Sequence, residues 1–168
     1  KRMLDLLKEQ ARIDALTGLA NRAAFDSSLA SAVATWERAQ HPFALLMFDL
    51  DHFKQYNDRC GHLAGDHALK LTAEILQLNL RQGDLACRYG GEEFALLLPR
   101  IGAHEAFDVA ERIRLAIEEA NYPGQDLMDR RNLTISIGIA VYPDHASSAG
   151  ELLALADEEL YRATEHRN

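Results

Sequence analysis

The stretch Leu85-Ala86-Cys87-Arg88-Tyr89-Gly90-Gly91-Glu92-Glu93-Phe94-Ala95-Leu96-Leu97-Leu98 decides how this chain is read. Residues 85–89 and 94–98 have the length and apolar content of short strands, and the two glycines between them permit a tight reversal, so the segment reads as a β-hairpin. Its tip is free of side chains, which lets backbone lie close to a base or a phosphate, and two carboxylates follow at once.

Working outward, residues 43–48 form an unbroken apolar run after Pro42 that ends at Asp49, the pattern of a buried strand. Downstream, Leu133, Ile135, Ile137, Ile139 and Val141 alternate with Thr134, Ser136, Gly138 and Ala140, so one face of that strand is branched and apolar while the other is small enough for close packing. Helical spacing fills the intervals. Asn21 caps a helix carrying Phe25, Leu29, Val33 and Trp36; others carry Ala68, Leu71, Ile75 and Leu78, then Ala106, Val109, Ile113, Ala116 and Ala120, then Leu152, Leu153, Ala156, Leu160 and Ala163. Residues 2–13 set Leu4, Leu7 and Ala11 among charges, a helix too short to stand alone and expected to pair with a partner helix. The sum is an α/β domain with helices over a mixed sheet.

A chain of 168 residues with 48% hydrophobic content suits one compact domain. Its net charge of -8 argues against a binder of nucleic-acid polymers, which need clustered Lys and Arg, so an anionic ligand would require bridging cations. The two cysteines, Cys60 and Cys87, have neither disulfide-framework nor zinc spacing, as expected for a reducing cytoplasm. No apolar run is long enough to span a bilayer, and no membrane contact by this piece is expected. Opening at Lys1 in helical pattern, the sequence reads as part of a longer protein whose other parts include a sensor or a membrane anchor.

Asp49, Asp51 and the pair Glu92-Glu93 lie at strand ends and turns, where a sheet can aim them at a ligand. In extended chain Asp49 and Asp51 fall on one side and the two glutamates on opposite sides. Hard oxygen donors of this kind suit Mg²⁺, which takes one or two carboxylates and completes its shell with water and phosphates. A solvated acidic turn is the plain alternative for any one of them.

Taken together, Gly90-Gly91-Glu92-Glu93-Phe94 resembles the signature hairpin of the diguanylate cyclase family named for its GGDEF motif. The resemblance spans residues 14–161: Asp14-Ala15-Leu16-Thr17-Gly18-Leu19-Ala20-Asn21-Arg22, then Phe48-Asp49-Leu50-Asp51-His52-Phe53-Lys54 with Asn57-Asp58 and Gly61-His62, then Ser136-Ile137-Gly138-Ile139-Ala140, then Ala156-Asp157 through Leu160-Tyr161. It implies a central five-stranded mixed sheet flanked by helices, of nucleotidyl-cyclase or palm type, over residues 14–168, with residues 1–13 a signalling linker helix. It also implies condensation of two GTP into cyclic di-GMP and two pyrophosphates by a homodimer in which each domain holds one GTP.

Residue by residue, the resemblance makes Asp49, Glu92 and the Leu50 carbonyl ligands of Mg²⁺, with Mn²⁺ as the alternative. Glu92, with Glu93 close behind, would take the 3′-hydroxyl proton, and Lys54 would offset charge on the phosphates. Asn57 and Asp66 would read guanine, His62 and the Gly90-Gly91 backbone would touch substrate, and a carboxylate accepting from N1–H and N2–H₂ would favour guanine over adenine. Arg81-Gln82-Gly83-Asp84 is similar to the family's inhibitory Arg-x-x-Asp, where product binds, with Arg112 as a second arginine. One departure stands out. Thr164 occupies the place of a phosphate-binding lysine and the following glycine is missing, leaving Arg162 and Arg167 as substitutes. A degenerate domain that binds nucleotide without cyclising it is the competing reading, and another palm-type cyclase or polymerase the third.

Overall fold

The computed structural model describes residues 1–130 and 132–165. Its elements run α1 (Arg2–Gln10), α2 (Arg22–Ala39), β1 (Phe43–Leu50), α3 (Phe53–Cys60), α4 (His62–Leu78), β2 (Leu85–Arg88), β3 (Glu93–Pro99), α5 (Ala103–Glu119), β4 (Ile135–Tyr142) and α6 (Ala149–Glu165), with a short 3₁₀ turn at Gln125–Leu127. The Asn21 side chain accepts from the Ala24 amide and starts α2, as its residue type anticipates.

The sheet has four strands among the described residues, in the order β2-β3-β1-β4, and every neighbouring pair is antiparallel. The expectation of a mixed five-stranded sheet is corrected on both counts. Helical crossovers do join parallel strands here, β1 to β2 and β3 to β4, but each time another strand lies between the two. Interleaving converts a βαββαβ order, which reads as mixed, into a wholly antiparallel ladder.

The period of two along each strand divides the core. Ala44, Leu46, Phe48, Phe94, Leu96, Leu98, Ile135 and Val141 face α3, α4 and α5, with Tyr56, Leu76 and Ile113 packed among them. Phe43, Leu45, Met47, Cys87, Ala95, Leu97, Ala140 and Tyr142 face α2 and α6, against Phe25, Leu29, Leu152 and Leu160. The strict alternation read from residues 133–141 holds, except that Leu133 is buried just before the strand begins. The small face serves close packing: a Cβ on Gly138 would overlap the Ala156 carbonyl oxygen and the Leu160 amide nitrogen of α6. Leu78, expected inward on α4, is instead exposed at that helix's last turn. On α1, Met3, Leu4, Leu6 and Leu7 are all exposed.

Candidate active site

Asp49 sits at the end of the central strand, paired across the ladder with Glu93 on one side and Ser136 on the other. The Leu50 amide donates to the Glu92 carbonyl at 3.4 Å, which brings the hairpin's first glutamate beside the Asp49–Leu50 step. The hairpin closes with the Tyr89 amide donating to the Glu93 carbonyl at 2.8 Å. Its strands begin and end one residue from the expected bounds, at Arg88 and Glu93.

Asp51 lies just past the end of β1 at Leu50 and keeps to the Asp49 side, since it reaches Ser136, the cross-strand partner of Asp49. Its buried carboxylate accepts from Thr134 Oγ1 at 2.6 Å and Ser136 Oγ at 2.5 Å, tying the strand end to β4. Asp49 is different. Its Oδ1 is buried with no hydrogen-bond partner, and burial pushes its carboxyl up to about 7, reinforced by the charges of Glu92, Glu93 and Asp51. Glu93 is also raised, by burial first and then by Asp157 and Glu92, with Arg22 opposing. An orphaned carboxylate oxygen amid convergent negative charge fits a divalent cation. Among the described residues no group of three or more His, Cys, Asp or Glu is placed to hold a metal ion by itself.

Asp49 and Glu93 open into a pocket of about 290 Å³ whose other walls are Tyr89, Asp157, Leu160, Tyr161 and Thr164. Arg22 lies 4.5 Å above the Tyr89 ring at its border. Tyr89, Asp157 and Arg22 had no site role in the sequence reading; Arg22 and Asp157 stood inside the quoted motifs, whereas a contact from Tyr89 has no pattern to announce it. Thr164, in place of the lysine, donates its hydroxyl to the Leu160 carbonyl at 3.0 Å. Arg162 is paired on the exposed surface of α6 with Glu158 at 2.8 Å and Glu159 at 3.2 Å, and Arg167 lies outside the described residues.

After β1 the chain turns through His52, in left-handed conformation, into α3, whose first turn exposes Lys54. Asn57 stands on α3 and Asp66 on α4, and Gly65, next to Asp66, lets the Asn57 side chain approach: a Cβ there would overlap Asn57 Oδ1. That amide oxygen is buried without a partner, a second orphaned acceptor among the described residues. His62 opens α4 and is exposed.

Arg81, Asp84 and Arg112 meet elsewhere, around a separate cavity of about 390 Å³ completed by Asn79, Ile101, Glu105, Asp108 and Val109. Arg81 Nε donates to Asp84 at 3.3 Å and its guanidinium also reaches the Pro99 carbonyl. Arg112 is set by Asn79, through the side-chain oxygen at 3.0 Å and the backbone carbonyl at 2.9 Å. Two arginines separated by 31 positions thus face one cavity, with Asn79 as the bracket that sequence reasoning missed.

Known proteins bear on this arrangement. The profile of the family described as "Diguanylate cyclase, GGDEF domain" matches residues 11–168. The chain belongs to the GGDEF domain family. This GGDEF domain is 41% identical over 159 residues to diguanylate cyclase DgcP of Pseudomonas aeruginosa, covering 93% of the chain and 23% of DgcP. It is 38% identical over 160 residues to the response regulator PleD of Caulobacter vibrioides, covering 95% of the chain and 35% of PleD. The chain therefore spans well under half the length of these curated relatives. Among solved structures, the coiled coil and GGDEF domain of DgcB from Caulobacter crescentus in complex with c-di-GMP is similar at TM-score 0.89 and 31% identity, over 98% of this chain and 86% of that one. No helix among the described residues is long and apolar enough to cross a membrane.

Proposed function

We propose that this GGDEF domain is a diguanylate cyclase that condenses two GTP molecules into cyclic di-GMP with release of two pyrophosphates. The observation that carries the reading is the orphaned, buried Asp49 oxygen, held at the strand end where the Gly90-Gly91-Glu92-Glu93 hairpin meets β1. Asp49, Glu92 and the Leu50 carbonyl are the residues to hold Mg²⁺, or Mn²⁺ in its place. The bound ion supplies charge compensation that lets an acidic protein accept a triphosphate and polarises the phosphoryl group.

In each half-reaction the 3′-oxygen of one GTP forms a bond to the α-phosphorus of the other, the bond to the β-phosphate oxygen breaks, and pyrophosphate leaves with that electron pair. Glu92, assisted by Glu93, accepts the 3′-hydroxyl proton, and the exposed Lys54 offsets charge on the phosphates. Asn57 and Asp66 meet the guanine edge, His62 touches the nucleotide, and the side-chain-free tip at Gly90 and Gly91 lets the backbone approach it. Because one domain carries one such site, turnover requires a homodimer. Residues 1–13, with Met3, Leu4, Leu6 and Leu7 exposed, serve as the linker helix that joins two copies of domain 14–168. The cavity of Arg81, Asp84 and Arg112 takes the product and restrains the hairpin through β2. The compartment is the cytoplasm, in which GTP is supplied and both cysteines stay free, with the domain as the cytoplasmic part of a larger sensor.

The deciding experiment is incubation of the purified domain with GTP and Mg²⁺ at concentrations that drive dimerisation, followed by chromatography. Cyclic di-GMP in the wild type and none in Glu92→Gln is the expected result. One observation favours a second reading: Thr164 lines the pocket of Asp49 and Glu93 with its hydroxyl turned back on Leu160. Nucleotide binding without product would establish a sensor instead.

A further inference from the structure

The Arg88 guanidinium reaches two places at once. Its Nε and Nη2 both donate to the Gly91 carbonyl, at 3.2 and 2.9 Å, and its Nη1 lies 3.3 and 3.4 Å from the two Asp14 carboxylate oxygens. Both side chains are largely shielded, 20% and 21% exposed. Asp14 is itself fixed by the Thr17 amide at 2.9 Å and the Thr17 hydroxyl at 2.7 Å. The turn that carries it is anchored by Leu19 in the core and by Ala20, which exchanges backbone hydrogen bonds with Ala86 and Arg88. Burial alone would raise the Asp14 carboxyl, but the Thr17 hydrogen bonds and Arg88 outweigh it and keep it below the usual range.

We propose that Arg88 and Asp14 form a positioning pair that sets the orientation of Glu92. The Gly91 carbonyl and the Glu92 amide belong to one rigid peptide plane, so fixing the first fixes the second. The next plane is held by the Leu50 amide on the Glu92 carbonyl. Glu92 is thereby pinned on both sides, by Arg88 before it and by β1 after it, although the two residues preceding it are glycines with wide conformational freedom. The β2–β3 ladder already pairs Arg88 with Phe94 through the backbone, so what its side chain adds is control of the tip. Asp14 holds the guanidinium where it can make both bonds to one carbonyl. This inference rests on the role proposed for Glu92 in metal binding and proton transfer.

The test compares wild type, Arg88→Ala, Arg88→Lys, Asp14→Asn and the Arg88→Ala/Asp14→Asn double variant. Loss of charge-assisted hydrogen bonds at this site corresponds to about a 10- to 100-fold fall in kcat for Arg88→Ala. The Mn²⁺ concentration at half-maximal rate rises by a similar factor, while KM for GTP at saturating metal shifts less than about threefold. Arg88→Lys restores little, because an ammonium cannot bridge the carbonyl and the carboxylate in one plane. The double variant is no worse than Arg88→Ala, as coupling requires. Amide hydrogen exchange gives a readout independent of turnover: Glu92 and Glu93 exchange faster in Arg88→Ala and Asp14→Asn, with β1 and the rest of β3 unchanged. Unaltered metal dependence with unaltered hairpin exchange, or protection lost across the whole sheet, would overturn the inference. If the wild type makes no cyclic di-GMP, the proposed function fails, and Mn²⁺ binding and hairpin exchange still decide the fate of the pair.

Discussion

Replacing Gly138 with alanine tests how tightly α6 is seated on the sheet and what that seating does for the pocket. The added methyl would overlap the Ala156 carbonyl oxygen and Leu160 amide nitrogen and lie 3.0 Å from the Leu160 Cα, all backbone atoms that cannot rotate aside. To restore ordinary contact α6 has to retreat by about 1 Å, and overpacking of a close-packed interior costs about 1–3 kcal/mol, with backbone against backbone placing this site near the top of the range. With an m-value of about 2 kcal/mol/M, the urea midpoint falls by roughly 1–1.5 M. Asp157, Leu160, Tyr161 and Thr164 ride on that helix as one wall of the pocket, and a displacement of about 1 Å of such a wall can cost about 100-fold in rate. Gly150→Ala is the control, because nothing lies within 4 Å of its added Cβ in the same helix. It should leave the midpoint unchanged or raise it slightly. A Gly138→Ala midpoint within about 0.3 M of wild type would refute the packing argument.

Gly65→Ala drives Asn57 from its place while giving α4 a better helix former; the domain should be no less stable, yet bind a GTP analogue about 10- to 100-fold more weakly by calorimetry, and unchanged affinity would remove Asn57 from base recognition. Asp49, raised from 3.8 to about 7, binds its proton more tightly folded than unfolded, so metal-free stability falls as pH rises from about 4 to about 7 and is level above. Discounting a full linkage value of about 4 kcal/mol for solvent screening leaves about 2 kcal/mol, so Asp49→Asn should stabilise the metal-free domain by about that much at pH 8 and by little near pH 4. Mg²⁺ should erase the difference, and equal chemical-denaturation curves at both pH values would contradict it. Arg81→Ala should abolish inhibition by added cyclic di-GMP while initial rates at low product persist; an unchanged inhibition curve would dissociate the Arg81 cavity from product binding.

Much of the candidate site was legible because its residues fall in a few short stretches of sequence. The hairpin's two glycines and following acids needed only local chemistry to be read, as did the Asn21 cap and the alternation of 135–141. Strand partners were harder. Helical crossovers predict a mixed sheet, and nothing in periodicity says that β3 inserts between β1 and β2. Asp51 shows the same limit: by spacing it is a twin of Asp49, and only the arrival of Thr134 and Ser136, more than 80 residues later, makes it part of the scaffold.

The sequence by itself determined the family, the positions of the strands and most helices, and which carboxylates, amide and arginines to watch, because those depend on residue type and short-range order. Tertiary structure alone decided the antiparallel ladder, the orphaned oxygens of Asp49 and Asn57, the bracket of Asn79 on Arg112, and the clamp from Asp14 through Arg88 to Gly91. Each of these is a matter of which distant groups burial leaves facing one another. A hydrogen bond across 74 residues, or its absence, leaves no period in the chain.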